Sequence, residues 1–515
     1  MNAVPDPFER VDAARSALAD DARSDAVERQ HGRGKLTARE RIDLLTGGDT
    51  FVELGGLAGS ATSQDGRRLE APADGVVTGI AHVDGRPVVV ASFDFTVLGG
   101  SNGAVGMAKV EHCARRALHD RIPLVLLCDG GGHRMQEGLD SRHASPGSPL
   151  FRHLVDLSGF VPTVTVMMGP GFGVSTNLAA ISDLVVMVKG ISTLGMSSAP
   201  FVLAATGETM TNEQIGGAEV QAARGVAHLA VDDEHEALHA VRAYLSYLPS
   251  NALDEPLRST GPWEPGDVDL DSAVPVSTRQ AYDVRDVIEG LCDDESVLEL
   301  QPTHAPNIVT ALVRIEGRPL VVVANQPRHL AGALDSSACE KAAHLIAVAD
   351  AFGLPVLMLI DVPGFLIGSA AEDSQLARRS GRLIHELAGI SVPRFSIVSR
   401  KGYGAAYIAM GGGRSADADL SLAWPTAEIC AMPIEGAVDI GYRREIEAAD
   451  DPAAHRTELI DRFRANIDPL LAAESFGIDA VVRPSETRAL LAEALGRVRR
   501  REPRVPGKRR SISPI

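Results

Sequence analysis

The chain has 515 residues, of which 45% are hydrophobic and 23% are charged, and its formal net charge is −18. This length fits two domains of roughly 200–250 residues, each large enough to bury its own core. The acidic excess argues against nucleic acid as a partner, and five cysteines without a C-x-x-C pair exclude a zinc ribbon and a disulfide framework.

The N-terminal segment is polar and charged. Residues 1–25 contain no apolar signal-peptide core, and no run of about 18 uncharged apolar residues is present that could span a membrane. We therefore expect a cytoplasmic protein with no membrane partner. The charged stretch that contains Arg33–Arg41 is predicted to be helical.

An α/β domain is predicted for residues 1–251, in which the charged N-terminal segment precedes strands and helices that run from about Phe51 to Asn251. Short apolar runs predict buried strands and a longer stretch predicts a helix between them, which is the pattern of β-α-β units. The predicted strands are residues 87–91, 123–128 and 164–168, and the helix is residues 107–119. Residues 252–281, which are rich in proline and aspartate, are the predicted linker.

A second domain, residues 282–515, repeats the first. Its predicted strands are residues 320–324, 355–360 and 395–399, and its predicted helices are residues 337–352 and 487–501. Laid over residues 83–132 without a gap, residues 315–364 share more than a dozen identities, whereas ordinary residue usage gives roughly three. The register then slips by one residue, because Phe172-Gly173 matches Tyr403-Gly404. The sequence therefore predicts an internal duplication, with function where the two like domains face each other.

The turns after the buried strands are the candidates for chemistry. Asp129-Gly130-Gly131-Gly132-His133 follows one strand, and three consecutive glycines there would free several backbone N–H groups to point at one spot. Such a turn binds an anion or a developing oxyanion, although a plain tight turn is the alternative. In the second domain, Asp361-Val362-Pro363-Gly364-Phe365 and the loop Arg400–Tyr407 follow strands in the same way.

Other motifs are absent from the sequence. Gly171-Phe172-Gly173 has Thr176 where a dinucleotide fingerprint needs a third glycine, and there is no Walker loop. No H-E-x-x-H pair or other metal-ligand spacing occurs, so we expect no metal. His133 is either a general base or, as we favour, a residue of the pocket wall.

At these loops the sequence resembles the carboxyltransferase (β) subunits of biotin-dependent acyl-CoA carboxylases, such as the propionyl-, acetyl- and methylcrotonyl-CoA enzymes. The resemblance covers nearly the whole chain and is carried by many ordered motifs. In the first half they are residues 31–41, 74–79, 94–101, 131–138, 206–208 and 216–218. In the second half they are residues 324–327, 361–368, 400–404 and 423–428.

The resemblance implies two tandem crotonase-like domains of the ClpP/crotonase superfamily and a homohexamer built as a dimer of trimers. It also implies a biotin carboxylase/biotin carrier (α) subunit as partner, because the chain has no ATP-grasp-sized extra domain and no A-M-K-M biotinylation sequence. An acyl-CoA would lie on the first domain of one subunit, and carboxybiotin would lie on the second domain of another. Carboxybiotin would release CO₂ and leave a ureido nitrogen that takes the α-proton, so no side-chain base is required.

Site residues follow from the same resemblance. Backbone amides of Gly131 and Gly132 would hold the thioester oxygen as the α-carbon becomes an enolate, and those of Ala405 and Ala406 would hold the ureido oxygen of biotin. Further substrate contacts are expected from Arg33, Lys35, Gly99, Gly100, His133, Gly173, Val174, Phe365, Tyr403, Gly404 and Ile408.

Four residues depart from the usual family pattern. Gly130 replaces Ser or Ala, His133 replaces Ala, Val174 replaces Gly and Ala405 replaces Gly. Ala405 is harmless only if its backbone needs no positive φ, while His133 and Val174 could reshape the acyl pocket. These changes leave the identity of the acyl-CoA open.

Three functions remain compatible with the sequence. The first is transfer of CO₂ from carboxybiotin to the α-carbon of a short or medium acyl-CoA. The second is the reverse chemistry, as in a decarboxylase or transcarboxylase of a malonyl- or methylmalonyl-type CoA. The third is a non-catalytic partner subunit, against which the retention of unhindered glycine turns argues.

Overall fold

The computed structural model describes residues 6–60, 63–64, 67–139, 141 and 147–501, with only the backbone for 63–64 and 67–68. The chain divides into two compact units, Met1–Asp254 and Glu255–Ile515. The assignment of residues 252–281 as a linker stays a prediction, and a short helix, Leu270–Ala273, lies inside that segment.

The first unit is built on a seven-stranded sheet whose strands lie side by side in the order of the chain. The strands are β1 (Phe51–Glu53), β2 (Val76–Val83), β3 (Arg86–Phe93), β4 (Leu124–Cys128), β5 (Thr163–Met167), β6 (Leu184–Val188) and β7 (Leu229–Val231). The pairs β1–β2 and β2–β3 are antiparallel, and the remaining neighbours are parallel. Two small two-stranded sheets pair Ser63–Gln64 with Arg67–Arg68 and Pro170–Phe172 with Thr193–Gly195.

Helices connect the parallel strands and precede the sheet. The N-terminal helices are Pro7–Ser16, Ser24–His31 and Ala38–Thr46. The helices within and after the sheet are Ala104–Asp120, Met135–Gly138, Leu150–Leu157, Val174–Ile181, Ala199–Thr206, Asn212–Gly216, Ala218–Ala223 and Glu234–Tyr247.

The second unit has a main sheet with the same order. Its strands are β8 (Leu298–Leu300), β9 (Ile308–Ile315), β10 (Arg318–Asn325), β11 (Val356–Val362), β12 (Arg394–Tyr403), β13 (Leu420–Ala423) and β14 (Ala480–Val481), and Glu428–Cys430 also pairs with β12. Its helices are Leu270–Ala273, Val284–Leu291, Ser336–Phe352, Ser369–Asp373, Leu376–Gly389, Gly404–Ala409, Ile434–Gly441, Arg443–Ala448, Pro452–Arg464, Pro469–Glu474 and Thr487–Arg497.

The duplication predicted from sequence is visible element by element. Strands β2 and β3 reappear as β9 and β10, shifted by 232 positions at both ends of each strand. Helix Ala104–Asp120 reappears as Ser336–Phe352 with the same shift. Each strand of the first sheet thus has a counterpart at the same place in the second, which makes equivalent positions comparable between the units.

Each sheet packs its apolar residues into a core of its own. In the first unit Val89, Leu124 and Met167 belong to one buried cluster with helix residues such as Val110. In the second unit the corresponding cluster includes Val322, Leu357 and Trp424. Both β4 and β5 are buried along their whole length, as expected for parallel strands that are covered on both faces.

The predicted strands and helices are present with their bounds shifted by one to a few residues, but two details were wrong. The stretch containing Arg33–Arg41 is not one helix, because Gly34 has φ 71° and a capping box between Thr37 and Glu40 starts the helix at Ala38. The last helix ends at Arg497 rather than Arg501. Among the residues described, no helix is both long and apolar enough to cross a membrane.

Candidate active site

The turn that follows β4, residues 129–133, is held against the loop that follows β3; we call it the first nest. Asn102 N–H donates to the Gly132 carbonyl at 2.8 Å, and Arg134 N–H donates to the Asn102 carbonyl at 3.0 Å. These bonds place Asn102 opposite His133 in an isolated parallel bridge. The pairing of β3 with β4 therefore continues past both strand ends and fixes the shape of the turn.

Two glycines allow the close approach of these loops. A Cβ on Gly130 would overlap the carbonyl oxygen of Gly100, and a Cβ on Gly100 would overlap the carbonyl oxygen of Asp129. Gly100 also has φ 65°, a left-handed conformation that favours glycine. The predicted residue Gly100 is thus required for the backbone geometry of the nest.

The first nest presents backbone donors that have no partner among the described residues. Gly132 has φ 100°, and neither its N–H nor that of His133 donates a hydrogen bond within the described chain. The Gly131 N–H faces the Gly99 carbonyl at a long 3.4 Å. Gly132 is therefore the stronger free donor of the predicted pair.

The N-terminus of helix Val174–Ile181 lies beside this turn. A Cβ on Gly132 would lie 3.6 Å from the carbonyl oxygen of Phe172, two residues before the helix. Gly173, at φ 64°, donates its own N–H to Gly195, while the first-turn amides from Val174 onward have no acceptor in the helix. A second set of N–H groups, supported by the helix dipole, therefore lies next to the first nest.

The second unit repeats this arrangement at residues 361–365, the second nest. Leu334 N–H donates to the Gly364 carbonyl at 3.1 Å, and Leu366 N–H donates to the Leu334 carbonyl at 2.9 Å. Leu334 and Phe365 form the isolated bridge that corresponds to Asn102 and His133. Gly364 has φ 146°, and a Cβ there would meet no atom within 4 Å.

Helix Gly404–Ala409 starts beside β12 as Val174–Ile181 starts after β5. Gly404 has φ 64°, the value found at Gly173, whereas Ala405 is not among the positive-φ residues described. The alanine at position 405 is therefore free of backbone strain. Ala405 is exposed and Ala406 is buried, and the Tyr403 hydroxyl donates a hydrogen bond to Glu428.

Several predicted contact residues surround the first nest. Gly99 and Gly100 lie on the β3 side of the nest, and Gly173 and Val174 lie on the β5 side. His133 is exposed, and its ring packs against Gly138, where a Cβ would lie 2.6 Å from Cδ2. This packing suits a wall residue, but the choice between the wall and the base role stays open.

Arg33 and Lys35 lie in different surroundings. Arg33 is exposed and its guanidinium lies 5.2 Å from the centre of the Phe95 ring. Lys35 is 6% exposed, and its Nζ lies 2.5 Å from Asp129 Oδ1 and 4.6 Å from the same ring. The Lys35 ammonium is therefore bound to a buried carboxylate beneath the nest.

In the second unit Phe365 lies on the turn after β11, Tyr403 is the last residue of β12, and Gly404 and Ile408 lie on the helix that follows it. Phe365 is half-buried, and Ile408 is 53% exposed on helix Gly404–Ala409. No group of three or more His, Cys, Asp or Glu side chains with metal-binding geometry occurs in the described part of the chain.

Sequence reasoning missed the buried charges around the first nest. Arg134 is 1% exposed and its Nη1 lies 2.6 Å from Asp74 and 3.3 Å from Glu137. These carboxylates also accept from N–H groups at the start of helix Ala104–Asp120. Asp129 and Asp361, the first residues of the two nests, are likewise buried. The repeat itself was the available signal for this pair, since both aspartates are among its identities.

Comparison with known proteins gives a consistent result. The family model described as "Carboxyl transferase domain" matches residues 29–512. The β5 subunit of a biotin-dependent acetyl-/propionyl-coenzyme A carboxylase from Mycobacterium tuberculosis is 40% identical over 511 residues, which cover 95% of this chain and 92% of that protein. The methylmalonyl-CoA carboxyltransferase 12S subunit of Propionibacterium freudenreichii subsp. shermanii is 38% identical over 477 residues, with 91% and 90% covered.

A solved structure resembles the chain along its full length. Transcarboxylase 12S, crystallised as a hexamer assembly with methylmalonyl-coenzyme A and methylmalonic acid bound, matches with a TM-score of 0.93 and 35% identity and covers 100% of both chains. This likeness confirms the prediction of two tandem crotonase-like domains.

Proposed function

Because the chain belongs to the carboxyl transferase domain family, we propose that it transfers a carboxyl group between biotin and the α-carbon of an acyl-CoA. The observation that carries this proposal is a set of backbone N–H groups at equivalent positions of the two units, at Gly132 and Gly364 and at the helix starts after Gly173 and Gly404, that donate no hydrogen bond within the described residues. Two oxygens acquire negative charge in such a transfer, the thioester oxygen of the acyl-CoA and the ureido oxygen of biotin. Each nest with its neighbouring helix suits one of them.

The first nest is proposed to hold the thioester oxygen. Gly132 lies beside the start of the helix that follows Gly173, and within the described chain neither its N–H nor those of the first helical turn have a partner. An enolate formed at the α-carbon places its charge on that oxygen, and preorganised amides stabilise it without moving. Gly131 would act as a weaker donor, because its N–H also faces Gly99.

The second unit is proposed to hold biotin. Ala405 and Ala406 lie in the first turn of helix Gly404–Ala409, beside the second nest. The ureido oxygen would accept hydrogen bonds from their backbone N–H groups. Biotin, attached to a separate carrier protein, supplies the carboxyl group and a nitrogen that accepts the α-proton. In the balanced reaction the carboxyl C–N bond breaks, a C–C bond forms at the α-carbon and that proton moves to nitrogen.

The proposed reaction takes its base from biotin and needs none from a side chain of either nest. Gly132, Ala405 and Ala406 contribute backbone only, and the exposed His133 ring packs against Gly138. His133 and Val174 are then proposed to line the acyl pocket and to select the acyl group. Arg33 and Phe365 are proposed to contact substrate from the rims of the two sites.

The assembly proposed for this chain is a homohexamer that works with a biotin carboxylase/biotin carrier subunit. Helix Ala199–Thr206 has an apolar sequence, yet none of its residues is buried within the described chain, and Phe201 is 70% exposed. An apolar helix without a covered face indicates a protein contact. Transcarboxylase 12S, which matches the whole chain, was solved as a hexamer assembly.

The proposal is tested with a panel of acyl-CoA thioesters, a biotinylated partner chain, ATP and bicarbonate. We expect carboxylation of at least one short or medium acyl-CoA by the wild-type chain and none in its absence. Gly132→Val serves as the matched inactive control. Absence of carboxyl transfer to or from every thioester, with the hexamer and partner present, would rule the proposal out.

Transfer in the reverse direction is the second candidate, because a methylmalonyl-CoA carboxyltransferase subunit is 38% identical to this chain. The same nests would stabilise the same enolate when a malonyl- or methylmalonyl-type CoA loses its carboxyl group. Incubation of methylmalonyl-CoA with the chain and free biotin, without ATP, separates the two directions. Rapid loss of the carboxyl group there would favour the reverse reaction.

A further inference from the structure

A buried aspartate is the first residue of each nest. Asp129 is 0% exposed and Asp361 is 1% exposed, and the two occupy equivalent positions at the ends of β4 and β11. Taking a carboxylate out of water is costly unless cations and hydrogen-bond donors surround it. The source of those cations differs between the two units.

In the second unit the cations come from the neighbouring strand. Arg400 donates a hydrogen bond from Nε to Asp361 Oδ2 at 3.0 Å, and its Nη2 forms an ion pair with the same oxygen at 3.0 Å. Lys401 reaches Oδ1 with its Nζ at 2.6 Å and with its own backbone N–H at 3.1 Å. Both residues lie on β12, just before Tyr403 and the helix that carries Ala405. Asp361 therefore ties the end of β11 to the end of β12.

In the first unit these two positions hold no cation. With the one-residue slip of the repeat, Arg400 and Lys401 correspond to Gly169 and Pro170. A Cβ on Gly169 would overlap Asp129 Oδ1 and would lie 2.8 Å from Lys35 Nζ. In the second unit the side chains of Arg400 and Lys401 fill the volume beside the aspartate. In the first unit, other groups of the chain occupy the corresponding volume.

Those groups come from the N-terminal segment, residues 30–41. Lys35 Nζ lies 2.5 Å from Asp129 Oδ1, while Arg41 Nη2 and Gln30 Nε2 lie 2.9 Å and 3.1 Å from Oδ2. Arg41 is 0% exposed and is held in turn by Glu234. Lys35, Arg41 and Gln30 therefore all contact the carboxylate that opens the first nest.

We propose that Asp129 and Asp361 are the positioning residues of the two nests, and that Lys35 and Arg41 do for the first what Arg400 and Lys401 do for the second. Lys35 then acts through Asp129 and has no direct contact with substrate. This inference rests on the proposed function, which gives the acyl-CoA to the first unit and biotin to the second. Loss of either cation should therefore impair a different half of the reaction.

The test compares Lys35→Met with Lys401→Met, each in the full hexamer with its carboxylated biotin partner. The substrates are propionyl-CoA and its α-deuterated form. Lys35→Met should lower kcat by about 10²-fold, the loss typical of one displaced oxyanion donor, and should increase the deuterium isotope effect on kcat. The reason is that loss of the α-proton becomes slower when the first nest is distorted.

Lys401→Met should lower kcat to a similar degree without increasing the isotope effect. Lys35→Arg, which keeps a cation at Asp129, should restore most of the lost rate. Lys189→Met removes a surface lysine paired with Asp232 and should leave kcat unchanged. If Lys35→Met does not fold, Gln30→Met removes only one hydrogen bond to Asp129 and should show the same isotope signature more weakly.

Three results would overturn the inference. The first is an unchanged kcat in folded Lys35→Met. The others are a deuterium isotope effect that increases equally in Lys35→Met and Lys401→Met, or that increases in Lys401→Met alone. Failure of the proposed function looks different. In that case the wild-type chain itself would transfer no carboxyl group to or from a thioester, and the variants could not be compared.

Discussion

At the scale of single residues, the backbone of Gly132 is central to the first nest. Its φ of 100° is accessible to glycine, and a β-branched side chain there would both strain the backbone and shield the N–H. We predict that Gly132→Val lowers kcat by at least about 10²–10³. Steady-state kinetics with the preferred acyl-CoA checks this.

The matched control for Gly132→Val is Gly190→Val. Gly190 has φ 71° and a Cβ there would meet no atom within 4 Å, so the backbone strain is comparable but the nest is untouched. Similar thermal stabilities with very different kcat values would support the role of Gly132. Equal activity in both variants would remove Gly132 from the mechanism.

His133 is either a wall residue of the acyl pocket or a general base, and a substitution distinguishes the two roles. If its ring only lines the pocket, His133→Ala should change the preference among acyl-CoAs and leave substantial activity. If it is a general base, the same change should lower kcat by about 10²–10⁴ for every substrate. We expect the first result, measured as kcat/KM across an acyl-CoA panel. A uniform loss of kcat in a folded variant would contradict it.

Asn102 is a buried amide that has no hydrogen-bond partner among the described residues. It is 2% exposed, and within the described chain neither its Oδ1 nor its Nδ2 makes a hydrogen bond, whereas its counterpart in the second unit is the fully buried Leu334. Because an unsatisfied buried polar group costs about 1–3 kcal/mol, Asn102→Leu should raise the free energy of unfolding by up to that amount. Urea denaturation checks the change, and the reciprocal Leu334→Asn should be destabilising.

At the scale of secondary-structure elements, the sequence was informative wherever short-range patterns determine structure. Apolar runs predicted the buried strands, and the repeat predicted that the turn at Asp129 has a partner at Asp361. The cations that pair with the two buried aspartates could not be predicted in this way. Lys35 and Asp129 are 94 positions apart, and nothing local in either stretch indicates that an N-terminal lysine replaces a strand arginine missing at Gly169.

The helices Ala104–Asp120 and Ser336–Phe352 each bury a lysine at equivalent positions. Lys341 donates to the carbonyls of Gln301, His304 and Ile308 at 2.8–2.9 Å. Burial lowers the pKa of Lys341 to about 8 from an ordinary 10.5, and the pKa of Lys109 is lowered to about 8 for the same reason. The unfolded chain therefore binds more protons between pH 8 and 10.5, so each lysine's contribution to stability rises with pH across that window.

When the pH is raised from 8 to 10, the Tm of Lys341→Met should therefore rise less than the Tm of the wild-type chain. Thermal melts of both chains in the same series of buffers measure this difference. Groups that titrate in both chains affect both Tm values equally and therefore do not contribute to the difference. Lys189→Met, which changes a partly exposed lysine, should keep the wild-type slope. Identical slopes in Lys341→Met and the wild-type chain would show that Lys341 keeps its ordinary pKa in the folded state.

At the scale of the whole molecule, the duplication matches the proposed function, which assigns one substrate to each unit. Each unit builds a glycine-containing turn and a helix start at the carboxyl ends of two neighbouring parallel strands. The two copies differ beside the nests. Asn102 and His133 form the isolated bridge in the first unit, and Leu334 and Phe365 form it in the second. The first copy thus has polar side chains at a bridge where the second is apolar, so the surfaces beside the two nests differ in polarity.

Assembly is the last property that the structure makes testable. Helix Ala199–Thr206 leaves Phe201 70% exposed and Leu203 50% exposed, although its sequence is almost entirely apolar. If this helix is buried between subunits of a hexamer, Phe201→Asp should disrupt the assembly, because a carboxylate would then be buried without a cation. Val276→Asp, at a residue that is 82% exposed in the second unit, is the control and should leave the assembly intact. Light scattering should give six chains per particle for the wild type and fewer for Phe201→Asp, and a strictly monomeric but active wild-type chain would contradict the proposed assembly.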